Sequence, residues 1–243
     1  MRHRHSLFTR ACLAALLVLA SAPSQAGITL SSTRVIFDGN KRDASISVGN
    51  ASNRAYAVQA WVNTEADDNN IAAPFIATPP LFRLDPRKEQ MVRIVRTAGE
   101  LPSDRESVFY FNAQEIPAAS EGDENTLKVA VRTRLKLFFR PKGLESSLLE
   151  ALPALRWSVV QVDGKPMLEV HNPSAFHVSF IDIKVAAGSK VNDVDAQLMV
   201  APFASRQYRL PTENDKPEAV TFSVINDYGG YTEPRRVALS AAR

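Results

Sequence analysis

Short alternations of apolar and polar residues, each closed by a turn signal, fill almost the whole chain beyond residue 30. No window sustains a 3.6-residue period. "TRVIFDG" (33–39) ends in Asp-Gly. "ASISVGNAS" (44–52) alternates and then turns, and "YAVQAWVN" (56–63) alternates around Trp61. "FIATPPLFRLDPRKEQMVRIVR" (75–96) holds two apolar runs broken by Pro79, Pro80 and Pro86. "ESVFYFNAQEIP" (106–117) stops at a proline. Strand signals resume at 155–164, 165–174, 176–188, 197–202, 205–211, 219–230 and 235–240. Many short strands with frequent turns predict β-sandwiches. Between the two series lies "RPKGLESS" (140–147), whose Pro141 and Gly143 suit a hinge. "LESSLLEALPAL" has room for one helical turn before its prolines limit it.

The first residues carry a different message. Arg2, Arg4 and Arg10 precede the apolar run "ACLAALLVLA" (11–20), and "SAPSQA" ends with Ser24 and Ala26 at the −3 and −1 positions of a signal-peptidase site. Cleavage is expected after Ala26. The apolar run is shorter than the roughly 18–20 residues a spanning helix needs, so an exported protein without membrane insertion is expected. The one cysteine, Cys12, lies in this segment. The mature chain therefore depends on its hydrophobic core rather than on disulfides. Removing Arg2, Arg4 and Arg10 from 29 basic residues leaves 26 against 26 acidic ones. A neutral mature chain gives no sign of a nucleic-acid or membrane partner.

That neutrality makes one segment conspicuous. "NTLKVAVRTRLKLFFRP" (125–141) combines an apolar row, Leu127, Val129 and Val131, with Lys128, Arg132, Arg134, Lys136 and Arg140, and it contains no acid. Period-two spacing puts the three apolar residues on one face. They are either core or a face awaiting something else. Some of the cations suit a solvated face or a guarded edge, which does not account for Arg140 directly before the hinge proline.

Catalytic chemistry finds little footing. The mature chain has two histidines, His171 and His177, each in a strand pattern among apolar neighbours, which suits a structural or surface role. There is no HExxH, CxxC, GxSxG or phosphate-cradling glycine loop, and the carboxylates of "DGNKRD" and "ADDNN" lack calcium-loop spacing. No enzyme activity, metal or cofactor is expected.

Three stretches carry a resemblance: "STRVIFDG" (32–39), "LPSDRESVFYFNAQEIP" (101–117) and the basic strand ending "KLFFRP". With "IATPP" (76–80) and "INDYGG" (225–230), in the same order and spacing, they make the chain similar to the periplasmic chaperones of pilus assembly. Ala113 departs from the larger aliphatic residue the family prefers there. The resemblance implies an all-β chain of two immunoglobulin-like β-sandwich domains, set as a boomerang around an interdomain cleft. It divides the chain into a signal peptide (1–26), an N-terminal chaperone domain (27–143) and a C-terminal domain (144–243).

It also implies roles. Arg34 and Lys136 match the pair that binds the C-terminal carboxylate of a pilus subunit. Leu127, Val129 and Val131 match the donor strand lent to an incomplete subunit. Glu106, Arg140 and Asp227 match an interdomain salt-bridge network. The implied partners are pilus (fimbrial) subunits and an outer-membrane usher. The sequence leaves open whether the free protein self-associates to hide its row. One conflict is visible: Lys136 has even parity and the apolar row is odd. Either a bulge or twist near Thr133 re-aims the lysine, or the carboxylate approaches from the other face. Readings from other classes are a pilus subunit or adhesin, which would carry its own donor extension, and a carbohydrate-active enzyme, whose carboxylate pair is not apparent.

Overall fold

The computed structural model describes residues 27–239, except 69–70, 118–128, 145, 197–198 and 212–216. Among the described residues nine strands precede Pro141: β1 (Ile28–Leu30), β2 (Arg34–Asp38), β3 (Asp43–Asn50), β4 (Tyr56–Asn63), β5 (Phe75–Thr78), β6 (Leu81–Leu84), β7 (Glu89–Arg96), β8 (Ser107–Pro117) and β9 (Arg132–Arg140). A four-stranded sheet, β1-β3-β7-β5, faces a five-stranded one, β2-β9-β8-β4-β6. The inward rows meet in one core, where Phe37, Phe75, Phe109 and Phe139 pack with ring centroids 5.0–5.9 Å apart.

The chain then makes helix α1 (Leu148–Ala151) and a 3-10 turn, Leu152–Ala154. Ser147 and Glu150 form a reciprocal capping box at the start of α1, so even this short helix has its first amides satisfied. Seven strands follow: β10 (Arg156–Val162), β11 (Lys165–His171), β12 (Phe180–Ala187), β13 (Lys190–Val194), β14 (Ser205–Arg209), β15 (Ala219–Val224) and β16 (Arg235–Ala238). The sheets β10-β11-β14 and β13-β12-β15-β16 enclose a second core around Trp157, Phe180 and Phe222. The architecture is thus all-β, two immunoglobulin-like sandwiches in series. No helix among the described residues is long and apolar enough to cross a membrane.

Several elements differ from expectation. The stretch 75–96 makes three strands rather than two, because the Pro79–Pro80 break separates β5 in one sheet from β6 in the other. Of the expected strand at 197–202, residues 197–198 lie outside the described residues, and the described remainder makes a single bridge, Val178↔Val200. In its place the polar segment 190–194 forms β13, held as a hairpin on β12 by the turn at Gly188, whose φ of +57° suits glycine. The basic strand is shorter than its alternation suggested: regular pairing covers Arg132–Arg140, with Val131 adding one carbonyl contact to Glu115 N–H. Val129 and Val131 precede it, and Leu127 lies outside the described residues.

Candidate functional site

β9 decides the geometry. It pairs antiparallel with β8 from Gln114↔Arg132 to Ser107↔Phe139 without a register shift. Its inward residues are therefore the odd ones; Leu137 and Phe139 are buried in the first core and Leu135 packs at its margin. The even residues Arg132, Arg134, Lys136, Phe138 and Arg140 face the other way. No bulge occurs near Thr133, so Lys136 lies on the face opposite the apolar row, and any group it binds must approach from that side.

β2 pairs with β9 in parallel, with Arg34↔Lys136 as the first pair and Asp38↔Arg140 as the last. This register sets Arg34 directly beside Lys136. Upstream of that pair, Arg132–Leu135 have β8 on one side and no described strand registered on the other. Among the described residues the edge is open, and the apolar row runs out along it. Val129 and Val131 are 62% and 48% exposed, whereas Leu137, further along the same face, is fully buried.

The second sandwich covers the outward face beyond Lys136. Arg34 is buried although it points away from its own core. Its Nη1 donates to the carbonyl of Ile225 at 3.1 Å, and its guanidinium sits 5.7 Å from the Phe138 ring centre. Phe138 in turn packs on the His177 ring. Arg34 Nε is buried with no partner. Burial lowers the pKa of Lys136, and the charge of Arg34 lowers it further against a smaller opposing effect of Glu65. Burial also lowers that of Arg34, opposed by Asp227 and Glu106. No carboxylate lies within 4.0 Å of either cation among the described residues. Two adjacent, partly desolvated cations with an unused N–H have the chemistry to take an anion, and a guanidinium matches a carboxylate in particular.

Glu106, Arg140 and Asp227 do meet. Arg140 Nε donates to Glu106 Oε1 at 2.6 Å, and its Nη1 and Nη2 donate to the two oxygens of Asp227, each at 2.6 Å. Burial alone would lower the Arg140 pKa; the hydrogen bond to Asp227 and the charge of Glu106 outweigh it and raise the value. Sequence reasoning missed a fourth member. His177 donates its backbone N–H to Glu106 Oε2 at 2.7 Å, and its Nδ1 lies 3.2 Å from the same oxygen. Glu106 N–H donates to the Ala175 carbonyl as well. A buried glutamate thus holds both domains. The only sequence signal for His177 was a lone histidine among apolar residues.

The loop carrying Asp227 is fixed internally: Asn226 Oδ1 accepts from Tyr228 N and Gly230 N. Gly229, at φ +82°, presses against Thr33, and a methyl group there would collide with the threonine hydroxyl. This close approach positions the loop beside Arg34.

Arg132 and Arg134 are not free solvating charges. Arg132 pairs with Asp67 and lies over Trp61, and Arg134 lies 3.8 Å from the Tyr110 ring centre while donating to the carbonyls of Thr64 and Glu65. The Arg132 hydrogen bond lowers the pKa of Asp67. Both arginines hold the segment after β4 against the sheet. Lys128 lies outside the described residues.

Residues 27–145 match the family "Pili and flagellar-assembly chaperone, PapD N-terminal domain", and residues 150–236 match "Pili assembly chaperone PapD, C-terminal domain". The chain belongs to the pilus-assembly chaperone family. The chaperone is 41% identical over 222 residues to Chaperone protein LpfB of Salmonella typhimurium strain LT2, covering 90% of this chain and 92% of that one. It is 38% identical over 224 residues to the probable fimbrial chaperone YadV of Escherichia coli K12, covering 88% and 90%. Among solved structures, the YadV chaperone superposes with a TM-score of 0.77 at 35% identity, covering 88% of this chain and all of that one. The SafB chaperone of Salmonella enterica, solved in complex with the SafA pilin, gives 0.76 at 30% identity, covering 90% and 99%. The family consists of assembly chaperones and not of enzymes, which removes the adhesin and carbohydrate-active readings.

Proposed function

We propose that this chaperone binds pilus subunits in the periplasm by strand donation, with Arg34 and Lys136 holding the subunit's C-terminal carboxylate, and delivers them to an outer-membrane usher. The carrying observation is the Arg34↔Lys136 register at the point where β2 begins and the open edge of β9 ends. A guest strand that ends in a carboxylate there and lies along residues 129–135 runs parallel to β9, end to end with β2. The general mode, completion of a pilin sheet by a chaperone strand, is a standard example of β-augmentation. Backbone pairing supplies affinity, while Leu127, Val129 and Val131 enter the guest's groove, each contributing roughly 1.5–3 kcal/mol before ordering costs. The carboxylate pins the register, since a slip by one residue turns every side chain to the wrong face. The SafB–SafA complex supports a pilin as the guest, and the expected leader supports the periplasm.

Co-expression with candidate pilin subunits and co-purification from the periplasm tests this reading. Arg34→Ala and Lys136→Ala should each fold and lose the subunit; recovery at wild-type levels by both would remove the carboxylate role. Val129→Glu should abolish capture without changing the melting of the free protein. Unimpaired capture would mean that the row is not lent.

A further inference from the structure

Glu115 breaks the inward row of β8. The positions before it, Phe109, Phe111 and Ala113, are buried core, and Glu115 is itself 7% exposed, registered opposite the fully buried Val58 of β4. No Lys, Arg or His nitrogen lies within 4.0 Å of its carboxylate among the described residues. Among the described residues its carboxylate accepts one hydrogen bond, from Ile28 N–H at 3.2 Å. The described cations at this end of the sandwich are engaged elsewhere or point out: Arg87 binds Asn53, and Arg132, on the outward face of β9, binds Asp67. Arg54 and Lys88 contribute backbone carbonyls to the neighbouring Asn50 turn. Tyr56 is the next titratable group along the inward face of β4. A buried carboxylate with a single neutral donor is costly.

Gly27 lies against this carboxylate. Its carbonyl accepts from Ala51 N–H at 3.1 Å, and a side chain at this position would collide with Glu115 Oε2. Ordinary bond lengths then hold the Gly27 nitrogen within about 5 Å of that oxygen. We infer that signal-peptide cleavage after Ala26 creates the missing partner: the α-ammonium of Gly27 pairs with Glu115 and closes the open end of the first sandwich. In the precursor this nitrogen is a neutral amide. Hydrolysis by signal peptidase places water's hydroxyl on the Ala26 acyl carbon and its proton on the Gly27 nitrogen; a further proton from solvent completes the ammonium. Among the described residues Glu115 therefore gains a charged partner on processing, which couples export to the final stabilisation of the domain. The inference rests on cleavage at that bond and is independent of subunit binding.

The test uses the full mature chain. Its mass fixes the start, and a start other than Gly27 overturns the inference. Four forms are then compared: the native chain and a form extended by Ala26, each with Glu115 or with Glu115→Gln. The extended form should melt about 3–6 °C below the native one, and this difference should vanish in Glu115→Gln. The Gly27 amine should titrate above the ordinary range of about 7.7–8.0. A raised amine pKa in the folded state means that the stabilisation is complete below about pH 8 and is lost as pH rises through the folded value. The native melting temperature should accordingly fall more steeply between pH 8 and 10 than that of Glu115→Gln. Equal melting of the extended and native forms, or an amine that titrates in the ordinary range, overturns the pairing. Should Glu115→Gln fail to fold, the amine titration of the native chain decides alone.

Discussion

Lys136 is the residue whose chemistry depends most on its surroundings. Burial and the adjacent Arg34 lower its pKa, whereas the guanidinium of Arg34 stays charged at any accessible pH. The proposed carboxylate binding needs the ammonium, so its affinity is expected to be complete below the depressed lysine value and to fall as pH rises through it. A pilin C-terminal peptide should therefore begin to lose affinity at a lower pH than an ordinary lysine, near 10.4, would require. Lys136→Arg should remove that alkaline loss while changing the affinity at pH 7. A titration of peptide binding against pH in both proteins checks this; identical profiles would show that Lys136 does not carry the pH dependence. The parity of Lys136 was legible in the sequence, but its neighbour was not. Arg34 and Lys136 are 102 positions apart, and only parallel pairing brings them together.

One element, β9 with the residues before it, holds two kinds of apolar side chain. Leu137 is fully buried, while Val131, three pleats upstream on the same face, is half exposed. Leu137→Ala should cost about 2–5 kcal/mol through lost burial and the cavity left behind. Val131→Ala should stay within about 0.5 kcal/mol in the free protein, yet weaken subunit capture. Denaturant melts combined with co-purification separate the two effects, and a large stability loss at Val131 would place it in the core. The alternation of this segment was plain in the sequence, and so was its role as a strand. Where its core-facing part ends and the free part begins was not, because alternation is the same on both sides of Leu135. That boundary is set by where β2 starts and where the opposing sheet stops.

At the scale of the whole molecule, the two sandwiches are tied by Glu106, Arg140, Asp227 and His177, with Arg34 adding its bond to the Ile225 carbonyl. Arg140→Ala leaves Glu106, whose side chain is 2% exposed, without its charge partner, and removal of one member of a buried pair costs about 3–5 kcal/mol. The loss should appear as a lower melting temperature and as a broader distribution of interdomain distances in solution scattering. A variant that keeps the wild-type melting temperature and scattering profile would show that the network does not fix the domains. The residues 27–145 and 150–236 are two family units joined by these side chains together with the Phe138–His177 packing and the Gly229–Thr33 contact.

The sequence by itself determined the all-β class and most strand positions, because period-two alternation and turn residues are local signals. It also displayed the motifs on which the site residues were named. Only the tertiary structure decided that Lys136 faces away from the apolar row, that His177 bonds Glu106 across the two sandwiches, that Arg132 and Arg134 are engaged by the loop after β4, and that Glu115 is buried against Gly27. Each of these depends on which distant backbone segments become neighbours and on what water they exclude, and a local pattern carries neither.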